Sequence, residues 1–75
     1  MNEVYIGNII KQKLKENGRS ITWLAKKIYA DPSNFSRNLK ENKVDIEQLL
    51  KISKLLKVDF FAYYSEILKK NKFME

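Results

Sequence analysis

Apolar residues recur at helical spacing in five successive stretches of the chain, and no stretch alternates apolar and polar residues for long enough to make a strand. From Tyr5 to Asn17, the residues Ile6, Ile9, Ile10 and Leu14 share one face, with Lys11, Lys15 and Glu16 opposite. Gly18 follows where a helix ends on a glycine. The second stretch runs from Ile21 to Ile28 or Tyr29 behind Ser20 as an N-cap, with Ile21, Leu24, Ala25 and Ile28 at i, i+3, i+4 and i+7. Asp31-Pro32 opens the third, an N-cap oxygen followed by a residue whose φ is preset for the first turn. It should reach about Lys40, burying Phe35 and Leu39 and exposing Ser33, Ser36, Arg37 and Lys40. The fourth opens at Asp45, with Gln48 completing a capping box. Its apolar face of Ile46, Leu49, Leu50, Ile52, Leu55 and Leu56 is wide, which predicts the central core helix. The fifth begins near Asp59 and carries Phe60, Phe61, Tyr63, Tyr64, Ile67 and Leu68. The expected organisation is one all-α domain over residues 1–68 and a basic, frayed tail over 69–75.

Composition narrows the chemistry. The 75 residues suffice for one domain, and the chain has no cysteine and no histidine. Disulfides, thiolate chemistry, the usual zinc ligand sets and histidine acid–base chemistry are therefore excluded. No nucleophile–base pair or glycine-rich phosphate loop is visible, so neither catalysis nor a cofactor or metal is expected. Asp31, Asp45 and Asp59 each stand just before a helix, where a carboxylate caps free N–H groups and does not form a catalytic set. No run approaches the roughly 18 apolar residues of a membrane span, and the N-terminus does not read as a signal peptide. The expectation is a cytoplasmic protein without a membrane or small-molecule partner. The net charge of +6 is unevenly spread. Residues 1–43 hold nine Lys/Arg against four Asp/Glu, and residues 44–75 hold six against five. Such a basic first part suits a polyanionic partner.

The second and third helices are joined by a very short turn, Tyr29-Ala30-Asp31, which forces a steep crossing and leaves the third helix as a separate ridge. Ala25 keeps the second helix thin where they cross, and Phe35 fills the wedge. The run Ser20-Ile21-Thr22-Trp23-Leu24-Ala25-Lys26-Lys27-Ile28, followed by Asp31-Pro32-Ser33-Asn34-Phe35-Ser36-Arg37, resembles the helix-turn-helix of the Cro/C1-type, xenobiotic-response-element-like regulators. The stretch from Val44 to Phe61 is similar to that family's fourth helix and the start of its fifth, so the likeness covers about Ile6 to Tyr64. It implies a compact five-helix lambda-repressor-like domain with the helix-turn-helix at helices two and three. Several positions depart from the family pattern. Ile21 stands where a phosphate-binding glutamine is common, leaving that contact to Ser20 or Thr22. Tyr29 replaces the usual turn glycine, which predicts a reshaped or strained turn. Leu14 and Leu39 replace an arginine–glutamate pair together. Leu39 takes the apolar role expected at Asn38, which leaves the rotation of the third helix open.

The resemblance implies sequence-specific binding of double-stranded DNA by a transcriptional regulator, as a homodimer on a palindromic site. Ser33, Asn34 and Arg37 would read base edges in the major groove, with Arg37 on guanine and Asn34 on adenine or phosphate. Thr22, Lys26, Lys27, Ser36, Lys40, Asn42 and Lys43 would hold the DNA backbone. Each also has a plainer role open to it: a solvated cation at Arg37 and the lysines, or helix-start polarity at Ser33 and Asn34. Trp23, beside Leu24, is expected to cover the edge of the core. Phe60, Phe61, Tyr63, Tyr64, Phe73 and Met74 offer apolar surface for finishing the core or for a subunit contact. The alternative function is a protein-interaction module, such as an antitoxin-like component of a two-protein system.

Overall fold

A computed structural model describes residues 4–71. Among them the secondary structure is all helical, as the periodicity predicts: α1 (Ile6–Glu16), α2 (Ile21–Lys27), α3 (Pro32–Lys40), α4 (Ile46–Leu56) and α5 (Phe61–Asn71). No helix among the described residues is long and apolar enough to cross a membrane.

The helix starts follow the cap chemistry. Ser20 Oγ accepts the Trp23 N–H at 3.0 Å, Asp31 Oδ2 that of Asn34 at 3.0 Å, and Asp45 Oδ1 that of Gln48 at 2.7 Å. Asp59 Oδ1 accepts the Phe61 N–H at 3.1 Å just ahead of α5. Each of these carboxylates thus serves a helix start.

The helix ends share one device. After α1, Gly18 takes the left-handed conformation at φ 67°, and the N–H of Arg19 reaches back to Leu14 O at 2.9 Å. After α2, Tyr29 does the same at φ 60°, with Ala30 N–H bonded to Ala25 O at 2.8 Å. After α3 it is Asn42 at φ 60°, with Lys43 N–H on Asn38 O at 2.7 Å. After α4 it is Lys57 at φ 57°, with Val58 N–H on Ser53 O at 3.1 Å. The left-handed residue reverses the chain and its successor satisfies a carbonyl one turn inside the helix. Glycine adopts that conformation freely, asparagine tolerates it, and tyrosine and lysine are strained in it. Tyr29 is 95% exposed, so its side chain returns little packing for the strain. Tyr29→Gly should therefore raise stability by about 0.5–1 kcal/mol, the strain relieved less the entropy glycine adds to the unfolded chain. A urea midpoint equal to or below that of the parent would show that the turn is relaxed with tyrosine in place.

The buried core draws on the first four helices, with Phe61 and Tyr63 of α5 packed against it. Ile6, Ile10 and Leu14 come from α1, Leu24 and Ala25 from α2, Phe35 and Leu39 from α3, and Leu49 and Ile52 from α4, with Ile28 and Phe60 from the adjoining turns. Leu14 and Leu39 are both buried. Helix α3 packs along both α1 and α2, which makes it the central element. The expectation that α4 holds that place is corrected. Its Leu49 and Ile52 are buried, but Ile46 is 74% exposed and Leu50 and Leu55 also face out. The helix is apolar on more of its circumference than its neighbours cover. A second correction concerns the end of α5, which runs on to Asn71, so Lys69 and Lys70 are helical and not part of a frayed tail. Phe73 and Met74 lie outside the described residues.

Two contacts seat α3 against α1. Gly7 is buried in the first turn of α1, and a Cβ placed there would collide with Leu39 O and sit 2.7 Å from Leu39 C. Beside it, Asn42 closes a clasp: its Oδ1 accepts the Gly7 N–H at 3.2 Å, and its Nδ2 donates to Val4 O at 2.9 Å. One side chain from the α3–α4 loop thereby satisfies a free donor at the start of α1 and ties down the residues before it.

Candidate nucleic-acid interface

The rotation of α3 follows from which of its residues are buried. Phe35 and Leu39 are each 1% exposed, and Asn38 is half-buried beside them. Ser33, Asn34, Ser36, Arg37 and Lys40 are all exposed. At 100° per residue, Ser33 and Arg37 stand nearly opposite the Phe35–Leu39 seam, with Lys40 on one flank and Asn34 on the other. Polar groups thus line an outward ridge whose underside is fixed in the core.

The N-terminal half of the ridge carries an internal bond. Arg37 Nη2 donates to Asn34 Oδ1 at 2.8 Å, one turn along the helix. The backbone N–H of Asn34 is itself held by the Asp31 carboxylate. Ser33 lies in the same first turn.

On α2, Thr22, Lys26 and Lys27 are exposed, while Leu24 and Ala25 are buried. Ile21 is half-buried and packs against the core. Ser20 spends its oxygen as an acceptor at the helix start, which leaves Thr22 as the freely exposed hydroxyl there. Trp23 packs on the core edge as its position predicts. Its ring also carries two cations, with the Arg19 guanidinium 4.7 Å and the Lys27 ammonium 5.9 Å from its centre. Sequence reasoning missed Arg19. The i, i+4 spacing from Arg19 to Trp23 is the signal that could have found it.

Beyond α3, the predicted residues divide. Lys43 is exposed and forms a surface ion pair with Glu41 at 3.6 Å, a contact weak enough to be exchanged for a phosphate. Asn42 is exposed too, but both ends of its amide are engaged by Gly7 and Val4, so it serves the fold. Gly7 is the other residue that sequence reasoning passed over. A glycine inside a helical pattern costs about 1 kcal/mol relative to alanine, which should have marked it as a point of close approach.

From Arg19 to Lys40 the sequence places five cations against one carboxylate, that of Asp31. Asp31 is engaged at its cap, and the two helices and their turn carry a net excess of four positive charges. Among the described residues no group of three or more acidic or other ligating side chains is placed to hold a metal ion. An open groove of about 890 Å³ lies elsewhere, between α1 and α5, with Ile9, Val58 and Ala62 among its apolar lining. Comparison of the chain with protein-family models, with curated proteins and with solved structures returned no match.

Proposed function

We infer that this chain is a double-stranded-DNA-binding module in which α2 and α3 form a helix-turn-helix and α3 enters the major groove. The observation that carries the reading is the ridge of α3: Ser33, Asn34 and Arg37 project from it, Phe35 and Leu39 root it, and cations outnumber carboxylates five to one from Arg19 to Lys40. A helix with its side chains is about 10–12 Å across, close to the width of the groove. Arg37 reads guanine, and Thr22, Lys26, Lys27, Ser36, Lys40 and Lys43 grip phosphates on either side. Regulation of transcription in the cytoplasm, as a homodimer on a two-fold site, belongs to the same reading. Tyr64 and Leu68, four residues apart on the exposed side of α5, support the dimer because they leave an apolar stripe for a second copy.

Two measurements test it. Selection of bound duplexes from a random pool should return one sequence, repeated with two-fold symmetry if a dimer binds. With the selected duplex, log affinity should fall linearly with log salt at a slope of about −3 to −4 for each bound subunit, the value for the four phosphates that Lys26, Lys27, Lys40 and Lys43 neutralise. A shallow slope together with no selected sequence would leave the protein-interaction module, an antitoxin-like component, as the better account.

The ridge residues divide by role. Arg37→Ala should cost about 1–3 kcal/mol at the selected site and relax base choice at one position. Lys40→Ala should weaken binding to selected and random duplexes alike. Equal losses on both duplexes for Arg37→Ala would remove that residue from base reading.

A further inference from the structure

The family resemblance implies separate base contacts for Asn34 and Arg37, but their side chains are bonded to each other. We propose that Asn34 is a positioning residue which holds the Arg37 guanidinium in the orientation that recognises guanine, and that it does not read a base of its own. The proposal rests on the inferred binding of duplex DNA.

The argument starts from what each group has to offer. A bidentate contact to adenine requires an amide to accept from N6 and donate to N7. In Asn34 the accepting atom is Oδ1, which already receives the Arg37 Nη2–H at 2.8 Å. An independent adenine contact would have to share that oxygen, one lone pair to each donor, with an amide already oriented by Arg37. Arg37 faces no such conflict. Its guanidinium has five N–H donors, one goes to Asn34, and two suffice for guanine O6 and N7.

The backbone sets the geometry. Asn34 sits in the first turn of α3 behind Pro32, and its N–H is fixed at 3.0 Å by the Asp31 cap. Its Oδ1 therefore projects from the most constrained part of the helix. Arg37 lies one turn further along with a long flexible stem. An acceptor on so short a side chain, one turn away, selects among its rotamers and orients the plane of the fork before any duplex arrives. Planar bidentate recognition depends on that plane, which a lysine's point charge does not have.

The test uses selection from a random pool, followed by affinity ratios between duplexes that differ at single base pairs. Wild type, Asn34→Ala, Asn34→Asp, Arg37→Ala and the Asn34→Ala/Arg37→Ala double variant are compared. A ratio between duplexes cancels any uniform change in phosphate binding or in the folded fraction. The expected result is that Asn34→Ala reduces guanine preference about three- to tenfold at the base pair that Arg37→Ala affects. It should have no further effect once Arg37 is gone. Asn34→Asp keeps an acceptor for the guanidinium and should restore the ratio even if total affinity falls.

Loss of preference at a different base pair, above all one carrying adenine, would overturn the proposal. So would single-variant effects that simply multiply in the double variant, or a guanine preference that survives Arg37→Ala. A wild-type protein that selects no duplex would remove the DNA-binding reading and this inference with it. That outcome is distinct from a selected site on which Asn34 acts alone.

Discussion

Gly7→Ala should destabilise the protein by about 3 kcal/mol or more, the upper end of what overpacking costs. Local and tertiary effects pull in opposite directions here, which makes the variant decisive. Position 7 is in the first turn of a helix, and by helix propensity alone alanine there would gain up to about 1 kcal/mol. The added methyl would instead meet Leu39 O, with the Leu39 carbonyl carbon 2.7 Å away. That carbonyl belongs to the last turn of α3 and cannot swing aside, because it accepts a bond from Asn42 N at 3.2 Å. Relief requires α1 to withdraw from α3, which opens the core around Ile10 and strains the Asn42 clasp. A domain of this size has roughly 4–11 kcal/mol of total stability, so the melting temperature should drop by about 15 °C or more. Asn8→Ala, at an exposed neighbouring position, is the control and should change little. A Gly7→Ala protein as stable as wild type, or more so, would mean that α1 and α3 do not meet at this point.

Phe35→Ala is the second large effect, at about 3–5 kcal/mol. Phe35 is 1% exposed and one of the two largest side chains fully enclosed by the fold. It joins Leu24 and Ala25 of α2 in the core, and Ala25 leaves no side-chain bulk that could swing into the vacated space. In urea the midpoint should move down with the slope unchanged, since the surface exposed on unfolding hardly alters. Phe35→Leu, which keeps most of the volume, should recover most of the loss. A cost under about 1 kcal/mol for Phe35→Ala would show that the seat of α3 collapses easily, and that this side chain does not fix the helix's height above the core.

Much of this architecture was legible in the sequence because the signals were local. Ser20, Asp31 and Asp45 mark helix starts by chemistry acting within three residues, and the structure forms each cap bond. Burial of Leu39 in place of Asn38, with Phe35 one turn earlier, fixes the rotation of α3 that spacing alone left open. What failed to show was not local. Three of the four helix ends use Tyr29, Asn42 and Lys57 where glycine is the usual marker, so only Gly18 announced itself. The need for Gly7 is created by a carbonyl over thirty residues away along the chain. Asn42 looked like a polar loop residue available to a partner, but its amide spans 35 and 38 residues to reach the start of α1. On α4, apolar count overstated burial, since the pattern shows which residues can be covered and not how much neighbouring surface exists to cover them.

The Gly7 contact and the Asn42 clasp at one end of α3, and the Asp31 cap with Phe35 at the other, leave that helix little freedom to tilt or slide. On the proposed function, a binding surface so anchored approaches its target as a rigid body. Adaptation then falls to the nucleic acid: steps in the double helix that bend cheaply would be favoured even where no side chain touches them.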